Sequence, residues 1–225
     1  MSEDSGESGG LIGRIKEKLI RSKQKTAAEG RHITGRTDSA HARRLPPGQN
    51  LVKKWPVLDL GIQPDVPKAE WKLHVHGLVA NQVTWSFDDF MALPQSRFKS
   101  DIHCVTTWSL YDNRWDGVSA RTIMDLVQPS AEARHVIFHS YDGYTTNIRR
   151  EVFEEPDVIV AHSWEGKPLT REHGGPVRAV VPQWYFWKSA KWLQKIEFSD
   201  VDKPGFWEQN GYHNEADPWK EERYS

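Results

Sequence analysis

The chain has 225 residues, of which 37% are hydrophobic, with 11 tryptophans and a formal net charge of −1. This length and hydrophobic content predict one domain with a substantial core, and the small net charge gives no support for binding to nucleic acid or to an anionic membrane surface. No apolar run approaches the ~20 residues of a membrane-spanning helix, so no transmembrane segment is expected.

The N-terminal stretch predicts an arm rather than a part of the core. Residues 1–10 are polar and rich in Gly and Ser, which is typical of disorder. Residues 11–25 place apolar side chains at helical spacing between Arg and Lys, and this pattern predicts a short basic amphipathic helix. We therefore expect a flexible basic arm over residues 1–44 and one folded domain over residues 45–225.

A twin arginine, Arg43-Arg44, closes the predicted arm. Leu-Pro-Pro-Gly follows it instead of an apolar stretch, so the pair does not have the pattern of an export signal. A chain with one cysteine is also compatible with a reducing compartment. The cytoplasm is therefore the expected location.

The remaining chain combines strand patterns with two capped helices. Ser86 precedes FDDFMAL and Asp89 follows three residues later, which is a capping-box signature, and Ser119 precedes a second helix that is stopped by Pro129. No βα repeat is present, so the predicted fold is α+β and β-rich, in a single domain. The segments with strand character are residues 71–79, 135–141, 144–148, 158–164, 177–182 and 192–198.

His74 and His76 lie two residues apart on the first of these strands. Residues two apart on a strand share a face, and the alternation places both histidines on the polar face. A solvated pair is the favoured interpretation, and a metal site is the alternative.

Cys104 is the only cysteine, and it lies in DIHCVTTWS between an apolar run and a predicted polar loop. It cannot form an intrachain disulfide, so it is either a small buried hydrophobic residue or a soft thiolate ligand. One cysteine is too few for an iron–sulfur cluster or a structural zinc site. A metal on this thiolate would therefore take its other ligands from a cofactor.

Residues 168–192 gather glycines and cations. His173-Gly-Gly-Pro predicts a tight turn before a strand, and Arg178 and Lys188 to Lys191 follow it. Arginine presents a planar fork to phosphate, and glycines allow a close approach of the backbone to a ligand. A basic edge flanked by aromatic residues is the alternative interpretation of this segment.

Together these segments carry a family resemblance. The molybdopterin-binding signature of the sulfite oxidase family resembles HGGPVRAVVP followed by KSAKW. The molybdenum–cysteine segment of that family resembles DIHCVTTWS, and its C-terminal segment with an active-site tyrosine resembles GFWEQNGY. The three motifs occur in family order, and the chain looks most similar to the short bacterial sulfite oxidase-like oxidoreductases. The resemblance implies mixed sheets with short helices, a molybdenum–molybdopterin cofactor (Moco) and two-electron oxygen-atom transfer.

The resemblance also implies a role for each matching residue. Cys104 would ligate molybdenum, and Tyr212 would lie next to the metal. A small oxo-donor or oxo-acceptor is the implied substrate, and electrons would pass to a separate partner, because the sequence has no haem, flavin or iron–sulfur motif. The implied cofactor-binding residues are Asn50, Lys53, Lys54, Asp142, His173, Arg178, Ser189, Ala190 and Lys191.

The segment after the cysteine departs from the sulfite oxidases, which carry an arginine there. Here the aromatic residues Trp108, Tyr111 and Trp115 follow, and we expect them to form a wall at the metal, with Arg149 and Arg150 as cations that could approach from another strand. An apolar wall favours a neutral S-oxide or N-oxide over sulfite.

Two other classes of function remain open from the sequence. One is a cofactor-free enzyme that pairs Cys104 as nucleophile with His103 or His173 as base. The other is a non-catalytic binding module on the same fold that uses its tryptophans as a partner surface.

Overall fold

The computed structural model describes residues 44–225, together with Glu17 and Arg21. The predicted disorder of residues 1–10 and the predicted helix of residues 11–25 lie outside the described residues, apart from those two positions. Within the described part of the chain, eleven strands form two sheets. In chain order they are β1 (Asn50–Leu51), β2 (Lys72–Gly77), β3 (Val83–Ser86), β4 (Ser96–His103), β5 (Trp108–Ser119), β6 (His135–Ser140), β7 (Thr145–Arg149), β8 (Ile159–Trp164), β9 (Lys167–Pro168), β10 (Arg178–Val180) and β11 (Leu193–Ser199).

Both sheets are mixed. The first sheet has the order β1-β5-β8-β10, with β4 also paired to β5 and β9 to β8, and its β1–β5 pair is parallel. The second sheet has the order β3-β2-β11-β6-β7, and its β2–β11 pair is parallel. All other pairs are antiparallel. The β-rich α+β fold with mixed sheets is confirmed.

Between residues 44 and 225, three short helices connect strands, and a fourth follows β11. They are α1 (Phe87–Ala92), α2 (Ala120–Val127), α3 (Arg150–Phe153) and α4 (Phe206–Gln209). The two predicted helices are α1 and α2, and their predicted caps are present. Ser86 forms a capping box with Asp89, and the Ser119 hydroxyl accepts a hydrogen bond from the Thr122 amide at 3.1 Å. The helices α3 and α4 are one turn long, which is too short to give a helical period in the sequence.

The prediction of a polar loop after Cys104 is wrong. A tight turn over residues 104–107 leads directly into β5, a twelve-residue strand antiparallel to β4. Polar residues in the middle of β5 gave the loop-like pattern. The pairing shifts register between Ser100 and Ile102, and Asp112 has a positive φ of 60°, so the alternation expected of a regular strand is broken there.

The first sheet lies between two hydrophobic clusters. Alternate side chains of its strands pack into one cluster and then into the other. Val160 of β8 belongs to the inter-sheet core, while Ile159 and Ala161 belong to the aromatic cluster on the opposite face. The inter-sheet core also includes Leu73, Val75, Val136, Phe138, Ile196 and Phe198 of the second sheet. The aromatic cluster includes Cys104 together with Trp55, Trp108, Trp115, Tyr185, Trp187, Trp207 and Tyr212.

Candidate active site

A cleft opens in the aromatic cluster, and Cys104 lies in its wall. It holds about 850 Å³ free of protein atoms, counted out to its open mouth. Aromatic side chains form much of the wall, among them Trp55, Trp108, Phe186, Trp187, Trp192 and Trp207.

The turn between β4 and β5 presents the Cys104 side chain to the cleft. The Cys104 amide donates to the carbonyl of Trp108 at 2.8 Å, and the Thr107 amide donates to the carbonyl of Cys104 at 2.9 Å. Thr107 has a φ of 69°, which is unfavourable for a β-branched residue. Such backbone strain persists only where the surrounding structure fixes it, and it concentrates at functional sites.

Segments from both ends of the described chain fix this turn. The Gln49 side chain donates to the carbonyl of Cys104 at 3.1 Å, and the Asn50 amide donates to the carbonyl of Thr107 at 2.8 Å. From the other end, Arg223 donates to the carbonyl of Val105 at 2.8 Å. The position of the thiol is therefore set by residues that are far apart in the sequence.

Arg178, on β10, is a buried cation in the cleft wall with 1% of its surface exposed. Its guanidinium donates to the backbone carbonyls of His173 at 2.8 Å and Ser189 at 2.7 Å, and it lies 4.4 Å from the ring centroid of Phe186. Burial lowers its pKa from the ordinary value to about 9, so it stays charged at neutral pH. Within the described residues no carboxylate forms a salt bridge with it, so a positive charge is left for an anion in the cleft.

The two segments that Arg178 joins also contact each other closely. Gly174 has a φ of 96°, and a Cβ at this position would lie 2.8 Å from the Cβ of Lys191. Only glycine fits both the conformation and the space. The His173 ring stacks on Trp55 with the ring centroids 4.0 Å apart, and Lys191 extends along the cleft wall, where its ammonium donates to the carbonyl of Glu172 at 2.6 Å.

Tyr212 faces the cleft close to Cys104. Its ring stacks on Trp207 with the centroids 4.7 Å apart, and only 2% of the residue is exposed. Burial raises the pKa of the Tyr212 hydroxyl far above its ordinary value, and Tyr224 and Cys104 add to the shift. The hydroxyl therefore remains protonated, and it is hydrogen-bonded to the Tyr224 side chain.

A buried ion pair supports the wall from behind. The ammonium of Lys188 lies 2.6 Å from Oε1 of Glu208, and the side chains are 1% and 2% exposed. The same oxygen accepts hydrogen bonds from the Trp187 indole at 2.9 Å and the Thr146 hydroxyl at 3.0 Å. Burial lowers the pKa of Lys188, and Glu208 opposes that shift. Lys188, expected among the cations at the ligand, instead fixes the position of Trp187.

Comparison with known proteins decides the family. The profile of the family described as "Oxidoreductase molybdopterin binding domain" matches residues 60–207. The chain belongs to this molybdopterin-binding oxidoreductase family. The matched range contains β2 to β11, and therefore the turn of Cys104 as well as the strand and turn that hold Arg178.

Three relatives of this oxidoreductase show how far the similarity extends. The uncharacterized oxidoreductase YuiH of Bacillus subtilis is 46% identical over 191 residues, covering 83% of this chain and 95% of YuiH. The protein-methionine-sulfoxide reductase catalytic subunit MsrP of Campylobacter jejuni is 28% identical over 61% of this chain, which spans about half (52%) of MsrP. The crystal structure of the sulfane dehydrogenase SoxCD from Paracoccus pantotrophus shares the fold, with a TM-score of 0.57 at 19% identity over 62% of this chain and 40% of SoxCD.

The chemistry of the cleft fits a molybdopterin. Besides the buried cation, two polar atoms in the wall are buried without a hydrogen-bond partner among the described residues: the indole nitrogen of Trp108 and the hydroxyl of Ser140. Buried polar atoms normally have partners, and the donor and acceptor groups of a pterin can supply them. The single thiolate of Cys104 matches a metal whose other ligands belong to the cofactor.

The structure brings most of the sequence-derived site residues of this oxidoreductase to one place. His173 and Ala190 are not in the cleft lining, although the His173 carbonyl accepts from Arg178. Asn50, Lys53 and Lys54 are also outside the lining: Asn50 braces the cysteine turn, and both lysines are exposed. The predicted site residues that line the cleft are Cys104, Asp142, Arg178, Ser189, Lys191 and Tyr212.

The prediction of an aromatic wall at the metal is wrong for two of its three residues. Only Trp108 lines the cleft, because Tyr111 and Trp115 lie further along β5, where Trp115 packs against Trp55 and Tyr111 lies beneath the Arg44 guanidinium. The two arginines considered as approaching cations are also elsewhere. They form salt bridges on other parts of the surface, Arg149 with Glu215 and Arg150 with Glu154.

The geometry argues against a Cys–His enzyme. His103 directs Nδ1 to the Ser109 hydroxyl at 2.8 Å, and burial lowers its pKa to about 4, so it is a weak base. His173 directs Nδ1 to the Thr170 hydroxyl at 2.9 Å. A partner surface built from tryptophans is not supported either. Among the described residues, Trp219 is the one exposed tryptophan, with 49% of its surface accessible.

Sequence reasoning missed much of the aromatic lining. Trp55, Phe186, Trp187 and Trp207 come from three separate segments, and although the last three lie between or inside the matched motifs, no role was assigned to their side chains. The signal that was available is the count of 11 tryptophans, which is more than a core of this size needs.

Proposed function

We propose that this oxidoreductase binds a molybdenum–molybdopterin cofactor through Cys104 and catalyses two-electron oxygen-atom transfer, with a neutral S-oxide or N-oxide as the preferred substrate. The observation that supports this most strongly is the pairing of the only cysteine with a buried cation lacking a salt-bridge partner, Arg178, in one cleft. When bound, the cofactor supplies the redox chemistry that the side chains cannot.

Cys104 would hold the metal as a thiolate. Its Sγ lies 3.2 Å from the Thr106 hydroxyl, a group able to donate to a thiolate and so to tune its donor strength. The braced turn fixes the direction of the Cβ–Sγ bond before any ligand binds. Preorganised ligands of this kind keep a metal site within the narrow geometry that reactivity requires.

The basic side of the cleft would hold the anionic end of the cofactor. Arg178 supplies a charge that the described residues leave without a carboxylate, and Lys191 adds a second cation at the wall. The Ser189 carbonyl accepts from the Arg178 guanidinium at 2.7 Å, and the Ala190 carbonyl accepts from the Ala179 amide of β10 at 2.9 Å, so this segment is fixed against the strand that carries Arg178. Charge-assisted hydrogen bonds to phosphate are about twice as strong as neutral ones.

Tyr212 would donate a hydrogen bond to the substrate oxygen. Its raised pKa keeps the proton on the hydroxyl at neutral pH, so it acts as a hydrogen-bond donor and not as a proton shuttle. Removal of one such donor typically costs about 10²–10³-fold in kcat. The stack on Trp207 holds the ring in one orientation.

The substrate preference follows from what is left once the cofactor is held. Both cations in the lining, Arg178 and Lys191, are then engaged, and the remaining wall contains Asp59 among aromatic and aliphatic residues. A small dianion such as sulfite would meet a carboxylate and apolar rings, which is unfavourable. The relative MsrP, named as a methionine-sulfoxide reductase catalytic subunit, agrees with an S-oxide substrate.

Electrons would come from a separate carrier. No helix among the described residues is long and apolar enough to cross a membrane. Because the sequence has no haem, flavin or iron–sulfur motif, a separate electron-transfer protein is the proposed partner.

The test is steady-state kinetics on protein made in a host that synthesises the cofactor. Molybdenum should be equimolar with the chain, and methionine sulfoxide or trimethylamine N-oxide should be reduced with reduced benzyl viologen as donor. Tyr212→Phe should lose about 10²-fold or more in kcat while keeping molybdenum. Sulfite oxidation with kcat/KM above about 10⁴ M⁻¹s⁻¹ would refute the proposed substrate class, and absence of molybdenum would refute the cofactor.

A further inference from the structure

Two histidines and a glutamate meet on the face of the second sheet that points away from the inter-sheet core. His76 lies on β2, Glu197 on β11 and His139 on β6, so three adjacent strands contribute one residue each. Glu197 is in register with His76 across the β2–β11 pair. One nitrogen or oxygen atom of each side chain lies within 4.8 Å of the other two.

The ring of His76 is held in place with one nitrogen unused. It stacks on His74 with the ring centroids 4.7 Å apart and an interplanar angle of 14°. Its Nε2 is buried and has no hydrogen-bond partner among the described residues. A buried polar atom without a partner is uncommon in folded proteins, and an ion that belongs at the site is one of its standard explanations.

The other two ligands are already spaced for a shared metal. His139 Nε2 lies 3.1 Å from Glu197 Oε2. Bonds of about 2.0–2.1 Å to one tetrahedral zinc ion place two ligand atoms about 3.3 Å apart. The second oxygen of Glu197 is occupied by Lys203, whose ammonium lies 2.5 Å away.

We propose that His76, His139 and Glu197 form a Zn²⁺ site that fastens β2, β11 and β6 together on the outer face of the second sheet. Two imidazoles and one carboxylate are a recurrent zinc donor set, whereas Mg²⁺ and Ca²⁺ require oxygen ligands throughout. The cluster is half-buried, so water fills the fourth position. Because successive side chains of a strand point to opposite faces, His139 and the cleft residue Ser140 face opposite sides of β6.

The salt bridge between Lys203 and Glu197 provides a second, independent test of the metal site. Its ammonium competes with a metal for the charge of Glu197. If the cluster is only a salt bridge, then removal of Lys203 should have no effect on zinc. If the cluster is a metal site, then Lys203→Met should bind zinc more tightly than the wild type, because the competing cation is gone.

The experiment is titration of Zn²⁺ into molybdenum-loaded protein, with calorimetry for affinity and thermal melting for stability. One zinc per chain should bind, and the melting temperature should rise with zinc concentration. His76→Gln and His139→Gln should each weaken the site at least about tenfold. The control is His162→Gln, a half-buried histidine on the first sheet, which should bind zinc like the wild type.

Zinc that binds elsewhere, for example at Cys104 in chains without cofactor, would still bind to His76→Gln. The binding measured for that variant is therefore subtracted from the binding measured for the wild type. Equal affinity in the wild type and His76→Gln would overturn the proposal, as would no saturable binding up to ~100 µM free Zn²⁺. If the histidine variants fail to fold, Lys203→Met decides, and unchanged or weaker zinc binding in that variant overturns the site.

Discussion

The two faces of the first sheet follow different rules. Toward the inter-sheet core, β8 and β10 present Val160 and Ala179, which pack among other buried apolar side chains. Toward the cleft, the same strands present Ile159 and Arg178, and this side has a positive-φ Thr107 and buried polar atoms without protein partners. One sheet thus separates packing from chemistry, and local rules are broken where a ligand is expected to compensate for them.

The largest effect should come from the cleft face at Cys104. Cys104→Ser replaces a soft thiolate by a hydroxyl of nearly the same size, so the fold should be kept. Turnover should fall by more than the 10- to 100-fold that is typical of losing a group outside the first ligand shell. The measurement is kcat per chain together with the pterin content and the melting temperature.

Two outcomes would break the comparison at this position. Activity within tenfold of the wild type would mean that Cys104 is only a packing residue. A large drop in melting temperature would mean that the thiol serves stability, as the residues on the other face do.

The inter-sheet core should show the reverse pattern. Phe138 is fully buried there, next to Phe153. Phe138→Ala should lower the free energy of unfolding by about 3–5 kcal/mol, because it removes a large buried ring and leaves a cavity. Urea denaturation measures this loss. The kcat per bound molybdenum should stay unchanged, and a fall in that quantity would show that the two faces are coupled.

Acid should weaken the cysteine side of the sheet through His103. Burial holds the pKa of this histidine at about 4, below its ordinary value of 6.5. The unfolded chain therefore binds the extra proton first as the pH falls, and the protein should lose about 3 kcal/mol of stability between pH 6.5 and pH 4. His103→Gln should be less sensitive to pH in this window, and an unchanged slope of unfolding free energy against pH would contradict this origin.

Arg178 should give the smallest of these effects on function, through the ligand, while its removal also leaves the buried carbonyls of His173 and Ser189 without this donor. Arg178→Met keeps much of the volume and removes the charge. Cofactor affinity should fall by about 10- to 100-fold, which corresponds to the roughly 1.5–3 kcal/mol of a hydrogen bond to a charged group. Pterin content after dialysis measures this. Arg178→Lys serves as the control that keeps the charge without the fork, and full retention of cofactor in the Met variant would argue against an anion at this position.

Sequence patterns predicted the fold well where an element depends on contacts between residues that are close in the sequence. The caps at Ser86 and Ser119 depend on contacts within a few residues, and both helices form as expected. The strand β5 was missed, because its central residues Asp112 and Asn113 are polar: Asp112 forms ion pairs with Arg44 and Lys99, and Asn113 bonds to Trp164. Such partners are distant in sequence and leave no local pattern.

The candidate site was predictable only along its motifs. Cys104 and Arg178 lie inside the range matched by the family, whereas Asn50, Lys53, Lys54 and Tyr212 lie outside it. Asn50 illustrates the limit of reasoning by alignment alone. Its assignment to the cofactor stays a prediction, while the structure gives its backbone a role that no motif indicated: it supports the cysteine turn through the parallel pairing of β1 with β5.

The contact of Arg223 with Val105 places a constraint on the order of events during synthesis. The two residues are 118 positions apart, so a ribosome that adds about 5–20 residues per second makes Arg223 roughly 6–24 s after the cysteine turn. During that interval the turn lacks one of its braces. A nascent chain therefore presents the Cys104 turn without its Arg223 contact until the later segment has been made and has packed against it.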